Sequence, residues 1–260
     1  MYKTIRAELY KQYHSRLPKY CFLITLVIVI IVVYNLWGKL LYALHLFQEI
    51  PTASGGYSVH FLSEYSSVFS FFIPFLVVEI FGVDYSRGIV GNLLGHNITR
   101  PTIFVSKYIV FALSVLIMQF FASILYTVLS TIINGWGTRF SVLQIGNLIT
   151  LTFCYSLMFI STATVTILSS IVVKSEVVVV VIFFLRSLIE SIVASIINVA
   201  AADNRYIHFL SNLFETNYST SLFSLPIDKK IVPYFLISVT LNVLCCILVG
   251  KTICNRKDIL

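Results

Sequence analysis

The sequence predicts an all-α polytopic membrane protein with six transmembrane helices, an N-terminal amphipathic interfacial helix and both termini in the cytoplasm. Three observations predict it. First, hydrophobic residues make up 58% of the 260-residue chain and charged residues only 11%, where a soluble domain carries about 25% charged. So few charges could not cover a surface facing water, and lipid is the solvent that tolerates long apolar stretches. Second, six apolar runs cover residues 20–36, 61–81, 108–133, 148–173, 177–200 and 231–249, the shortest being 17 residues. A helix needs about 20 residues to cross the hydrocarbon. The runs are too long and too continuously apolar for the alternating strands of a barrel.

Third, the basic residues are distributed asymmetrically. With the N-terminus inside, Lys3, Arg6, Lys11, Arg16, Lys19, Arg87, Arg100, Lys107, Lys174, Lys251, Arg256 and Lys257 fall on the cytoplasmic side. Lys39, Arg139, Arg205, Lys229 and Lys230 fall outside, and Arg186 lies within a span. This is a positive-inside bias, and it gives the net charge of +7 a topological meaning that involves no nucleic acid. An even number of spans returns the C-terminus to the cytoplasm.

The pieces follow in chain order. Residues 1–19 form the interface element. Tyr2, Ile5, Leu9, Tyr13 and Leu17 recur at steps of three and four, with Lys3, Arg6, Lys11 and Arg16 between them. That pattern suits a helix lying in the headgroup layer; the alternative is a frayed tail attracted to anionic lipid. The first apolar run starts near Tyr20 and leads into Asn35, Leu36 and Trp37 rather than a small-residue cleavage site, so it reads as a retained helix. Residues 20–260 then form one transmembrane domain, because no polar or Pro/Gly/Ser-rich linker divides them. The short polar stretch Lys174, Ser175 and Glu176 is a tight cytoplasmic hairpin, since the flanking apolar runs together far exceed one crossing.

The segment between the second and third runs is the richest in polar groups. Ile89, Val90, Leu93 and Leu94 make one apolar stripe of a short helix, bounded by Gly95 and by Pro101 after Arg100. A short cytoplasmic helix here is a handle by which a soluble partner could push on the bundle; a solvated loop is the alternative. Residues 201–230 form the longest external segment. Their many apolar side chains suggest a re-entrant excursion into the outer leaflet against the bundle.

Within the fifth run, Arg186 and Glu190 are four residues apart and share a helix face. A charge at mid-bilayer costs at least ~2.5–3.5 kcal/mol, so they either line a pathway or subunit contact, or pair locally to make the helix tolerable. Glu79 lies near the cytoplasmic end of the second run, within reach of the interface. Gln119, Asn147 and Asn242 are expected to hydrogen-bond between helices. Five cysteines, Cys21, Cys154, Cys245, Cys246 and Cys254, show no metal or redox spacing and read as small apolar side chains. The histidines are dispersed, with no metalloprotease pattern and no paired catalytic carboxylates, so no catalytic residues and no metal are expected. Val249, Gly250, Lys251 and Thr252 imitate the end of a phosphate-binding loop, but Cys245 stands where its first glycine belongs and no strand precedes it. The chain is not expected to bind ATP itself.

The order of these parts resembles the permease subunits of type-2 ABC exporters. The residue-level match lies in the first cytoplasmic segment: Glu79, then Asp84, Tyr85 and Gly88 in an acidic-aromatic-x-x-Gly pattern, Leu93 in a short helix, and Thr99, Arg100 and Lys107 leading into the third span. Many members have Gly-Thr where this chain has Gly88-Ile89. The resemblance implies an ATPase-coupling helix within 84–100, involving Asp84, Tyr85, Arg87, Gly88, Ile89, Asn92, Leu93, Leu94 and Arg100. It also implies a second permease chain, identical or related, and cytoplasmic ABC ATPase subunits carrying the ATP and Mg. It further implies a bacterial plasma-membrane location. The substrate class would be amphipathic or lipophilic, as in the members that export antimicrobial peptides or confer immunity to them. A stand-alone membrane immunity or scaffold protein, and a secondary transporter, are the competing classes.

Overall fold

The computed structural model describes residues 1–33, 58–86, 99–136, 142–173, 175–201 and 231–256. Among them all regular structure is helical, with no strand. In chain order the elements are α1 (Tyr2–His14), α2 (Arg16–Val33), α3 (Ser58–Phe69), α4 (Ile73–Val77), a π turn (Val78–Gly82), α5 (Val83–Ser86), α6 (Arg100–Asn134), α7 (Val142–Thr162), α8 (Thr164–Val172), α9 (Glu176–Ala201) and α10 (Ile231–Arg256).

Four described stretches are long and apolar enough to cross a membrane: Arg100–Asn134, Val142–Val172, Glu176–Ile197 and Val232–Cys254; Tyr2–His14 counted together with Pro18–Val33 would make a fifth. At 1.5 Å per residue, the 35 residues of α6 extend roughly 52 Å, well beyond the ~30 Å hydrocarbon layer. Its first turns, where Lys107 sits, are therefore free to serve another purpose than spanning.

The second apolar run, expected as one helix over 61–81, is divided. Pro74 stands in the first turn of α4 and has no N–H to give to the carbonyl four residues back, so the helix restarts there. The new start is marked by Leu76 N–H donating to the Phe72 carbonyl at 3.0 Å. Four residues on, the ladder widens into the π turn, where Val83 N–H reaches back to the Val78 carbonyl. The fourth run is also interrupted, at Ala163, between α7 and α8. Helix α8 ends at Val172, followed by Val173 extended at φ −95° and ψ 125°, and α9 begins at Glu176. Helix α6 ends at Gly135, whose φ of 73° is the left-handed stop that glycine adopts without a Cβ penalty.

Two compact units are distinguished. One draws on Met1–Tyr13, Ser70–Ala112 and Leu157–Leu260. In it the π turn packs against α8 and α9, and α8 packs against α9 and α10. Its buried side chains include Phe81, Phe104, Phe111, Ile167, Val179 and Phe235. The other unit draws on His14–Phe69 and Leu113–Ser156. There Phe61 stacks on Tyr126 with ring centroids 4.0 Å apart, the Thr25 and Tyr65 hydroxyls bond at 2.9 Å, and Ser123 meets Thr152 at 3.0 Å. Asn134 donates to the Val33 carbonyl at 2.8 Å.

Candidate functional site

Two groups of charged side chains are built into the first unit, and both depend on interrupted helices. In the first, Lys107 is fully buried on α6. Its ammonium has three donors, and three acceptors surround it. These are Glu8 Oε2 at 3.1 Å, the Ile80 carbonyl at 2.7 Å and Asp84 Oδ2. The second Asp84 oxygen accepts from Lys11. Two ammonium groups thus face two carboxylates, and a carbonyl of the π turn completes the shell.

The local sequence explains the arrangement. Thr4, Glu8 and Gln12 are spaced four apart on α1, and they are its buried face. Tyr2 and Tyr13, from the expected apolar stripe, are 77% and 76% exposed. The N-terminal helix therefore turns a polar stripe toward the protein and its tyrosines outward. Ile80 lies in the π turn, a deformation that recurs at functional sites because it re-aims backbone groups. Burial raises the Asp84 pKa, but the charge of Lys107 and the hydrogen bonds from Lys107 and Lys11 outweigh it, so the carboxyl is held below its ordinary value of 3.8.

The second group sits on α9. Arg186 pairs with Glu190 Oε2 at 3.1 Å, their side chains only 20% and 15% exposed. Arg186 also donates to the Thr162 carbonyl, which closes α7 at the break. Two further side chains reach the same break from α10: Asn242 donates to Ser161 Oγ at 2.9 Å, and the Cys246 thiol to the Thr164 carbonyl at 3.9 Å. The interruption at Ala163 is thus served by polar partners from two other helices, as freed backbone groups in an apolar setting require. Beside the ion pair lies a cavity of about 230 Å³, walled by Phe71, Phe159, Phe183 and Phe184 and reached by Arg186 and Glu190.

The residues singled out in the sequence are distributed as follows. Asp84 belongs to the Lys107 cluster. Tyr85 lies on α5, and Arg100 opens α6. Glu79 is half-buried on the π turn, and no ion pair reaches it among the described residues. Arg87, Gly88, Ile89, Asn92, Leu93 and Leu94, the body of the expected coupling helix, lie outside the described residues. So do residues 202–230, where a re-entrant segment was expected. Glu8 was missed by sequence reasoning, although it is the lone acidic residue in the first nineteen. Gln119, expected to bond between helices, is buried with neither amide atom partnered among the described residues.

No group of three or more His, Cys, Asp or Glu side chains capable of holding a metal occurs among the described residues. The described cysteines are free thiols. Residues 249–252 lie inside α10, and Gly250 faces the Phe104 ring so closely that a Cβ would come within 2.3 Å of Cζ. Its glycine is explained by helix packing. Compared with known proteins, the sequence matches no family model and no curated sequence.

Proposed function

We propose that this chain is the permease subunit of an ATP-driven exporter, six-spanning with both ends in the cytoplasm, working beside a second permease chain and powered by separate ABC ATPase subunits. On this reading, the divided second run serves as a broken second crossing, and α2 supplies the first.

The observation that carries the reading is the direct bond between Asp84 and Lys107. Asp84 stands where the 84–100 segment begins and Lys107 stands seven residues beyond its end. The two ends of the segment are therefore clipped together, and α1 is fastened to the same clip through Glu8 and Lys11. A segment anchored in this way transmits a push from a docked ATPase into α6 and the π-turn helix instead of flexing independently. Transport itself would be alternating exposure of a path, with no covalent step in this chain. The cargo class implied by the resemblance, an amphipathic or lipophilic peptide, is part of the proposal.

The test is affinity capture of the tagged full chain from its native membranes in mild detergent, followed by identification of co-purifying proteins and assay of ATP hydrolysis. The expected result is a soluble ATPase that is lost when residues 88–94 are scrambled in a chain that still folds. Capture of intact chain with no ATPase, where a known exporter retains its own, would replace this reading with a stand-alone membrane protein.

A further inference from the structure

We infer that the cavity beside Glu190 binds a small cationic amphiphile, an ammonium carried on an aromatic or short alkyl group. The proposal concerns binding by this chain alone and stands whether or not an ATPase docks elsewhere.

Size sets the first limit. A cavity of about 230 Å³ exceeds the roughly 150 Å³ that accommodates benzene and falls short of the roughly 300 Å³ and more of a drug-sized site. It holds one ring with a short chain, or one side chain of a larger molecule. The walls set the second. Phe71 and Phe184 lie 5.9 Å apart by ring centroid, and Phe184 meets Phe183 edge-on at 5.5 Å. Aromatic faces of this kind attract a cation as well as an apolar body. Met158 adds an adaptable thioether to the lining.

The polar groups decide the sign of the charge. Arg186 is held by the Thr162 carbonyl and by Glu190 Oε2. An anion drawn to its remaining N–H donors would lie beside the Glu190 carboxylate and against aromatic faces that favour a cation. Glu190 has used one oxygen, and an ionised carboxylate offers about four lone-pair sites. Among the described residues, its Oε1 remains for a ligand's ammonium. The same chain already shows a carboxylate in that state, since Asp84 carries Lys11 on one oxygen and Lys107 on the other.

The test uses the full chain in nanodiscs of zwitterionic lipid and three ring-fluorinated probes of one shape: phenethylammonium, phenethyl alcohol and phenylpropionate. Saturable broadening of the fluorine NMR signal reports binding. We expect the ammonium to bind about tenfold or more tighter than the alcohol, the usual advantage of a charge-assisted hydrogen bond, and the carboxylate to show no saturable binding. Replacing both charges at once, Arg186→Met with Glu190→Met, leaves no stranded ion and should reduce the ammonium to the level of the alcohol. If that variant fails to fold, Phe184→Leu tests the wall and should weaken ammonium and alcohol together. Equal binding of ammonium and alcohol by the unmodified chain would overturn the proposal. So would tighter binding of the carboxylate, undiminished ammonium binding in the double variant, or no saturable binding of any probe.

Discussion

Lys107 and Asp84 form a buried ion pair, Lys107 having no exposed surface and the Asp84 side chain only 2%. Each also has a second oppositely charged partner: Glu8 for Lys107 and Lys11 for Asp84. Removing Lys107 leaves the buried Glu8 without its ammonium and Asp84 with Lys11 alone, and breaking a buried pair from one side costs about 3–5 kcal/mol. Lys107→Met should therefore lower the thermal midpoint in detergent sharply. Lys11 is 40% exposed, and Lys11→Met should cost no more than about 1 kcal/mol. Removing both charges, as Lys107→Met with Asp84→Leu, should be less damaging than the sum of the single changes. Equal effects of Lys107→Met and Lys11→Met would show that the buried network is not what holds α1 to α6.

The same pair fixes a pH dependence. Asp84 has its carboxyl pKa lowered in the folded chain, so its contribution is complete above 3.8 and is lost only as pH falls below that value, through the folded-state pKa. The stability gap between the unmodified chain and Asp84→Asn should stay constant from neutral pH down to about pH 5, clear of the unfolded carboxyl's titration. It should close only in stronger acid. Thermal melts of both proteins across this range measure the gap directly. A gap that closes between pH 6 and 5 would mean that burial dominates and the two lysines do not reach the carboxylate.

The break at Ala163 leads to a third expectation. Asn242 and Arg186 reach it from different helices, so their removal should be graded by what each leaves behind. Asn242→Leu removes one interhelical hydrogen bond, measured at about 0.6–1.7 kcal/mol in comparable settings. Arg186→Met strands both the Thr162 carbonyl and the Glu190 carboxylate, and should cost more than Asn242→Leu. Relative melting temperatures in one detergent decide it. The reverse order would place the main support of the break on α10.

Helices were legible in this sequence because hydropathy reports burial in an apolar medium, and α6, α9 and α10 are long, predominantly apolar runs. The interruptions were not. Run 61–81 stays apolar through Pro74, and Ala163 is an ordinary helix former, so the average conceals a missing hydrogen bond at one and a backbone turn at the other. The Lys107 cluster was legible only in fragments. Asp84 stood out by resemblance, while Lys107 counted as one more cytoplasmic charge, because lysine is almost never fully buried. Its carboxylate partners are 23 and 99 residues away in the chain, beyond the reach of any local pattern. On α1 the apolar stripe drew attention from the polar one, yet Thr4, Glu8 and Gln12 at steps of four carried the signal.

Gly250 offers the sharpest test of packing. A Cβ there would meet Phe104 at 2.3, 2.5 and 3.0 Å. The ring has little freedom to retreat, being fully buried and flanked by Phe81 at 5.9 Å and Tyr108 at 6.4 Å. Gly250→Ala should therefore destabilise by about 1–3 kcal/mol, the usual cost of overpacking, despite alanine's better helix propensity. Gly146 is the internal control. It lies within α7 with nothing within 4 Å of its would-be Cβ, so Gly146→Ala should be neutral or stabilising by up to about 1 kcal/mol. Adding Phe104→Leu to Gly250→Ala should recover part of the loss, because a shorter side chain vacates the space the new methyl needs. Equal melting temperatures for the two glycine variants would mean that α6 and α10 separate readily, and that Gly250 needs an explanation other than close approach.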